Sequence, residues 1–271
     1  KGFFPVALEA AATFAKQQLS APLTIVATSD EESSMAGSRY LLECGKPKAD
    51  YAIIGEPTAM QPIFAHKGIS MMTIQLEGAS GHSSDPSLGA NALDAMHRVM
   101  GELIAMREEL AAANQNNAFA VNVPTMNLGC MRAGDNPNRI CGHAALQIDL
   151  RLLPGMDSEA IHEALERRIA AVVANTGVSL QLHKAYPPIP PFQSDPNGEL
   201  LGALSGLSGN QPGTVAFGTE AHFMQTLGME TVVWGPGSID QAHQPNEYLD
   251  KAQLAPATDT LRRVIQKFCL V

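Results

Sequence analysis

Leu23-Thr24-Ile25-Val26-Ala27-Thr28-Ser29-Asp30-Glu31-Glu32 runs from apolar and β-branched residues into three consecutive acids, followed by the small residues Ser33, Ser34, Ala36 and Gly37. The run predicts a buried strand over Leu23 to Thr28, which puts the acids at its carboxyl end. Successive strand residues point to opposite faces, but where strand becomes loop, neighbouring side chains can converge on one ion or one water. The plain alternative is a solvated acidic loop, because carboxylates mostly sit on surfaces.

On both sides of this run helix and strand alternate. Val6, Ala7, Ala10, Ala11, Phe14 and Leu19 recur at helical spacing between Phe4 and Leu19, and Ser20-Ala21-Pro22 ends that pattern. Met35 to Cys44 is helical again, Gly45-Lys46-Pro47 stops it, and Tyr51-Ala52-Ile53-Ile54 reads as a short strand leading into Gly55-Glu56-Pro57-Thr58. Helices alternating with continuous apolar strands predict an α/β sheet covered on both faces, where ligands gather at the carboxyl ends of strands. Glu31, Glu32 and Glu56 all fall at such ends.

After Pro62 the pattern changes to strand 68–76, helix 89–112, strands 125–131 and 140–150, helix 158–175 and strand 178–183. The order β-α-β-β-α-β is ferredoxin-like. It predicts an inserted domain over residues 65–183, with the α/β domain split into residues 1–64 and 184–271. Tyr186-Pro187-Pro188-Ile189-Pro190-Pro191 is stiff and suits a linker out of the insert. Beyond it, helix over Glu199 to Ser205, strand over Thr214 to Phe217, helix over Ala221 to Leu227, strand over Thr231 to Trp234 and helix over Lys251 to Phe268 resume the alternation.

With 271 residues, 45% of them hydrophobic, the chain has ample material for a core. A formal charge of −9 argues against nucleic acid and anionic membranes as partners and suits metal ions or cationic substrates. The four cysteines, Cys44, Cys130, Cys141 and Cys269, lack CxxC spacing, so a reduced, cytoplasmic setting is expected rather than a disulfide framework. No apolar segment reaches the roughly 20 residues of a membrane span, and no leader is expected.

His243 lies in the polar loop Gly237-Ser238-Ile239-Asp240-Gln241-Ala242-His243 after a strand. With Glu32 and Glu56 it makes a mixed nitrogen and oxygen set that zinc accepts, and Glu31 is then placed to act as general base. Taken alone, His243 more often reads as a surface residue. His82, in Gly81-His82-Ser83-Ser84-Asp85, is either part of a helix-cap segment or a donor to a developing oxyanion. Asn138-Arg139 and Arg151 offer carboxylate recognition or an ordinary surface ion pair, and Gly218-Thr219 offers close backbone approach or a helix cap.

Together, Thr28 to Gly37, Ile53 to Thr58, His66-Lys67-Gly68, Ser80 to Pro86, Asn138 to Cys141, Asp149 to Met156 and Gly235 to Pro245 closely resemble the metal-dependent amidohydrolases of the M20 peptidase family. The resemblance covers essentially the whole chain, and the longer runs favour the branch that removes the acetyl group of N2-acetylornithine in arginine biosynthesis. It implies two zinc ions per site, with cobalt as a substitute, bound by Glu32, Glu56 and His243. It also implies Glu31 as general base, His82 as an oxyanion donor reaching a partner's site, and Asn138, Arg151, Gly218 and Thr219 around the substrate. The insert becomes a lid and the surface of a homodimer. Other M20 activities, such as succinyl-diaminopimelate desuccinylase or aminoacylase, and a non-catalytic dimerising module are the alternatives.

The same resemblance places a His-x-Asp motif and a metal-bridging Asp ahead of Lys1-Gly2-Phe3, outside this sequence. One metal position then keeps Glu32 and His243 and the other keeps Glu56, short of the three protein ligands usual for catalytic zinc. The polypeptide by itself is therefore expected to be metal-poor and inactive.

Overall fold

The structure is a computed structural model that describes residues 2–270. The chain begins α1 (Phe3–Ala12), α2 (Ala36–Glu43), β1 (Tyr51–Ile54) and β2 (Ile63–His66). It continues β3 (Gly68–Glu77), α3 (Ala92–Ala113), β4 (Thr125–Ala133), β5 (His143–Leu152), α4 (Ser158–Val173) and β6 (Ser179–Lys184). It closes with β7 (Phe192–Gln193), α5 (Glu199–Ser208), β8 (Gly213–Val215), α6 (Ala221–Thr226), β9 (Glu230–Val233) and α7 (Leu254–Cys269). Two compact units result: the first takes the chain to His66, Phe192–Val215 and the chain from Thr219, and the second takes Lys67–Pro191 with Ala216–Gly218.

The second unit is the ferredoxin-like one, an antiparallel sheet in the order β4-β5-β3-β6. On β3 every second residue, Gly68, Ser70, Met72, Ile74 and Leu76, is buried. Met72, Ile74 and Leu76, with Ala144, Leu146, Ile148 and Leu150 on β5, pack against Met96, Val99 and Leu103 of α3 and Leu165 and Ile169 of α4. Both helices start on a side-chain cap. Asn91 Oδ1 accepts from the amides of Leu93 and Asp94, and Asp157 Oδ1 from those of Glu159 and Ala160. The cap at Asn91 explains why α3 starts at Ala92 rather than at Gly89. Pro187 to Pro191, expected as a free linker, belongs to this unit, because Ile189 exchanges backbone hydrogen bonds with Ile69.

In the first unit β1 pairs parallel with β9, β9 antiparallel with β2, and β2 with both β7 and β8. Strand alternation sends Val232 and Trp234 into a core with α1, α5 and α7, and Val233 into a second cluster with Ile63, Phe192 and Ala221 of α6. The strand expected over Leu23 to Thr28 is not formed. Among the described residues the segment joins no ladder, and Leu23, Ile25 and Val26 are 37%, 38% and 38% exposed. An apolar β-branched run sets a conformational preference, but a strand exists only where a neighbour supplies its hydrogen bonds. Conversely, β2 and β7 were not foreseen, being short and framed by Pro62 and by Pro190-Pro191.

The four cysteines are all free. Among the described residues no helix is long and apolar enough to cross a membrane.

Candidate active site

Because β1 and β9 run parallel, their carboxyl ends open on the same edge of the sheet, and two of the candidate loops leave from there. Glu56 follows β1 and the Gly235 to His243 loop follows β9. The two loops are joined directly: the amide of Ala59 donates to Gly237 O (2.6 Å), that of Met60 donates to Gly235 O (2.8 Å), and Thr58 forms a bridge with Ser238. A side chain at Gly235 would meet the Glu56 carbonyl oxygen at 2.7 Å, so only glycine lets the backbones approach this closely. The Trp234 indole, fully buried, donates to Met60 O at 2.7 Å and fixes the base of the Glu56 loop.

The third loop carries Asp30-Glu31-Glu32. It turns back on itself through the amide of Met35 donating to Asp30 O (2.7 Å) and that of Gly37 donating to Ser29 O (3.1 Å). A Cβ on Gly37 would lie 2.6 Å from the Ser29 nitrogen, which explains the small residues after the acids. Left-handed backbone is concentrated in these loops. Of the six non-glycine residues with positive φ among the described residues, Asp30, Met35, Ala59, Met60 and His243 belong to them, and Asn175 lies elsewhere. Such conformations persist where the surroundings over-determine them, commonly at functional sites.

The arrangement brings His243 Nε2 to 3.7 Å from Glu32 Oε2, both side chains being well exposed. Glu31 adjoins this pair. Burial, then the charges of Glu32 and Glu220, push its carboxyl up to about 7, while His243 pulls the other way. Glu56 is pushed up to about 8, by burial first and then by Glu31, Glu220 and Glu32. The charges of Glu32 and Glu220 thus bear on both Glu31 and Glu56 and disfavour the ionisation of those two. Among the described residues no three His, Cys, Asp or Glu side chains come together at metal-binding spacing. Lys1 of the Lys1-Gly2-Phe3 match lies outside the described residues.

Thr219 is fully buried, and its hydroxyl accepts from the amide of Ala221 at the start of α6. The remaining candidates lie in the second unit. His82 is exposed, its Nδ1 2.7 Å from Ser84 Oγ, and it bridges Arg139 across the sheet edge while the Ser83 amide donates to Asn138 O (3.1 Å). His82 and Asn138 are therefore brought together. Arg151 is not part of that group: it lies on β5 and its Nε donates to the Asp149 carboxylate at 2.9 Å, the ion-pair alternative. Gly218 packs against Ile69 and Ile189.

Glu220 is the residue the sequence reading passed over. It accepts from Thr28 Oγ1 (2.9 Å) and Ser38 Oγ (2.6 Å), and its charge bears on both Glu31 and Glu56. An acid at the start of a short helix reads as an ordinary dipole partner, and nothing local reveals hydroxyl donors so far away in the chain.

The pattern of peptidase family M20/M25/M40 matches residues 1–267. An acetylornithine deacetylase of Pectobacterium atrosepticum is 42% identical over 269 residues, which is 99% of this chain and 70% of that protein. An M20 family metallo-carboxypeptidase from Sulfolobus solfataricus superposes with a TM-score of 0.73 at 18% identity over 98% of this chain and 75% of the other. A tripeptidase from Staphylococcus aureus superposes at 0.64 with 15% identity over 85% of this chain, which spans 62% of that protein.

Proposed function

The chain belongs to peptidase family M20/M25/M40, and from that membership we propose that it carries the deacetylase chemistry that converts N2-acetylornithine to ornithine and acetate. The family is metal-dependent and acts on small molecules. The acetylated substrate is proposed from the 42% identity to a named acetylornithine deacetylase along almost the entire chain. The observation that carries the chemistry is the meeting of Glu32 and His243, from loops far apart in sequence, with Glu31 beside them.

The donor set fits a divalent cation by its chemistry. Glu31 and Glu56, each pushed up by burial and then by neighbouring carboxylates, sit in a charge excess that a cation relieves, and the oxygen and imidazole donors suit zinc, with cobalt as a substitute. Glu32 and His243 would hold it, with Glu56 on the adjoining loop for a second ion. When bound, a divalent ion supplies Lewis-acid polarisation of the amide carbonyl. Glu31 takes the proton of the attacking water and returns it to the amine nitrogen as the C–N bond breaks, giving acetate and ornithine. His82, exposed and fixed at its bridge to Arg139, donates to the carbonyl oxygen of a substrate held by a partner chain. Asn138, Arg151, Gly218 and Thr219 line the substrate in this reading, which is that of a homodimer in a reducing, cytoplasmic setting. The four free thiols support that setting.

The test compares N2-acetylornithine and N-succinyl-diaminopimelate with this chain and with a version preceded by the corresponding leading segment of the Pectobacterium relative. Release of ornithine by the extended protein, abolished by Glu31→Gln and by chelation, is the expected result. The chain on its own is expected to bind little zinc and to turn over slowly. An extended, metal-loaded protein that leaves both substrates intact overturns the enzyme reading, and one that cleaves only the succinylated compound overturns the substrate.

A further inference from the structure

The loop that bears Glu31 and Glu32 has few interactions of its own to hold it. It follows Leu23–Thr28, which pairs with no strand among the described residues, and its internal bonds are those from the amides of Ser33, Met35 and Gly37 and from Ser33 Oγ, with Arg39 Nε of α2 donating to Ser34 O. Two hydroxyls flank it, Thr28 in front of the acids and Ser38 behind them. Both donate to one carboxylate: Thr28 Oγ1 to Glu220 Oε2 at 2.9 Å and Ser38 Oγ to Glu220 Oε1 at 2.6 Å. Ser38 is fully buried, and Glu220 sits at the start of α6, whose Ala221 and Phe223 are core residues. The loop is therefore closed at both ends onto an element anchored in the core. Hydrogen bonds to an ionised carboxylate are about twice as strong as neutral ones.

We infer that Glu220 is a positioning residue: its two carboxylate oxygens tie together the two ends of the loop over residues 28–38 and so set where Glu31 and Glu32 stand. It touches no substrate in this role. Setting a carboxylate within a fraction of an ångström is worth orders of magnitude in rate, because a proton acceptor works only within hydrogen-bond reach. The inference rests on reading Glu31 and Glu32 as the working carboxylates, but the tie itself is tested without turnover.

Amide hydrogen exchange on the full chain reads the tie. Glu220→Ala is expected to speed exchange of the amides of Met35 and Gly37 at least tenfold while those of α5 are unchanged. Glu220→Gln, which can still accept from one hydroxyl and donate to the other, is expected to restore most of the protection. If Glu220→Ala does not fold, the double variant Thr28→Val, Ser38→Ala removes the same two bonds from the other side. Unchanged exchange in whichever of these folds overturns the inference. Zn2+ alone, in equilibrium dialysis against the extended protein, is expected to bind at least tenfold more weakly to Glu220→Ala than to Glu220→Gln, and equal binding by the two also overturns it. In the extended protein kcat is expected to fall with KM unchanged. A silent parent protein would count against the proposed activity, whereas the exchange and zinc results would still decide the role of Glu220.

Discussion

In the second unit β3 and β5 pair over ten consecutive residues, whereas in the first unit β1 and β9 pair over four and β7 has two residues in all. The helices differ in the same way. Asn91 and Asp157 cap α3 and α4 from the residue next door, but the amides of Glu199, Leu200 and Leu201 at the start of α5 donate to Glu230 on β9, at 3.0, 2.9 and 3.1 Å. The second unit satisfies its polar groups locally and by repetition, and the first satisfies them singly and at long range. Long-range ties place loops accurately, which a site needs, and each is costly to lose because nothing repeats it. The three loops that carry Glu31 and Glu32, Glu56 and His243 all lie in the first unit.

The largest expected effects set one core against the other. Leu150→Ala should lower unfolding stability by about 2–5 kcal/mol in urea titrations and leave exchange at residues 56–60 unchanged. Trp234→Ala should cost about 3–5 kcal/mol and also loosen those residues, because the Met60 carbonyl loses its indole donor. Equal loosening by both variants would break the contrast. Next comes the remote cap: Glu230→Ala should cost about 2–3 kcal/mol, since three amides lose a charged acceptor together.

A buried polar pair in the second unit gives a pH dependence. His162 Nε2 lies 2.8 Å from Ser70 Oγ, and its Nδ1 has no hydrogen-bond partner among the described residues. Burial, then the charge of Lys184, hold its pKa below the ordinary 6.5, while Glu159 opposes them. Above pH 6.5 the ring is neutral folded and unfolded, so it adds no slope. Below that value the unfolded chain takes up a proton that the folded chain refuses, so stability falls until the lowered folded pKa is reached. The slope is at most about 1.4 kcal/mol per pH unit, and His162→Gln should flatten it in urea midpoints taken between pH 7.5 and pH 5. The smallest effects are the local caps. Asn91→Ala and Asp157→Ala should each cost about 1 kcal/mol, less than Glu230→Ala. A larger loss at Asn91 than at Glu230 would reverse the order on which the contrast rests.

The same contrast explains what the sequence disclosed. The second unit was legible because its signals are local: period-two burial along Gly68–Glu77, helical spacing in Ala92–Ala113, and cap residues just ahead of the helices. In the first unit Leu23 to Thr28 has strand chemistry and no strand, since pairing depends on a neighbour that a local pattern does not specify. Glu56 and His243 were legible as donors in loops after strands and Glu32 as one of three consecutive acids after an expected strand that is not formed, and the structure joins Glu32 to His243. Glu220 was not, because its meaning lies in Thr28 and Ser38, 192 and 182 residues away. Thr219 and Arg151 were visible as residue types, while their bonds to Ala221 and Asp149 were open alternatives that only coordinates separate.

Trp234 is the only tryptophan in the sequence. Its indole N–H ends on the carbonyl of Met60, four residues beyond Glu56. The protein thus carries its own optical reporter, needing no label: intrinsic emission excited near the red edge comes from one ring seated at the foot of the loop that carries Glu56. A wavelength shift on adding a divalent ion would register rearrangement of that loop directly, in a signal to which the second unit contributes no indole.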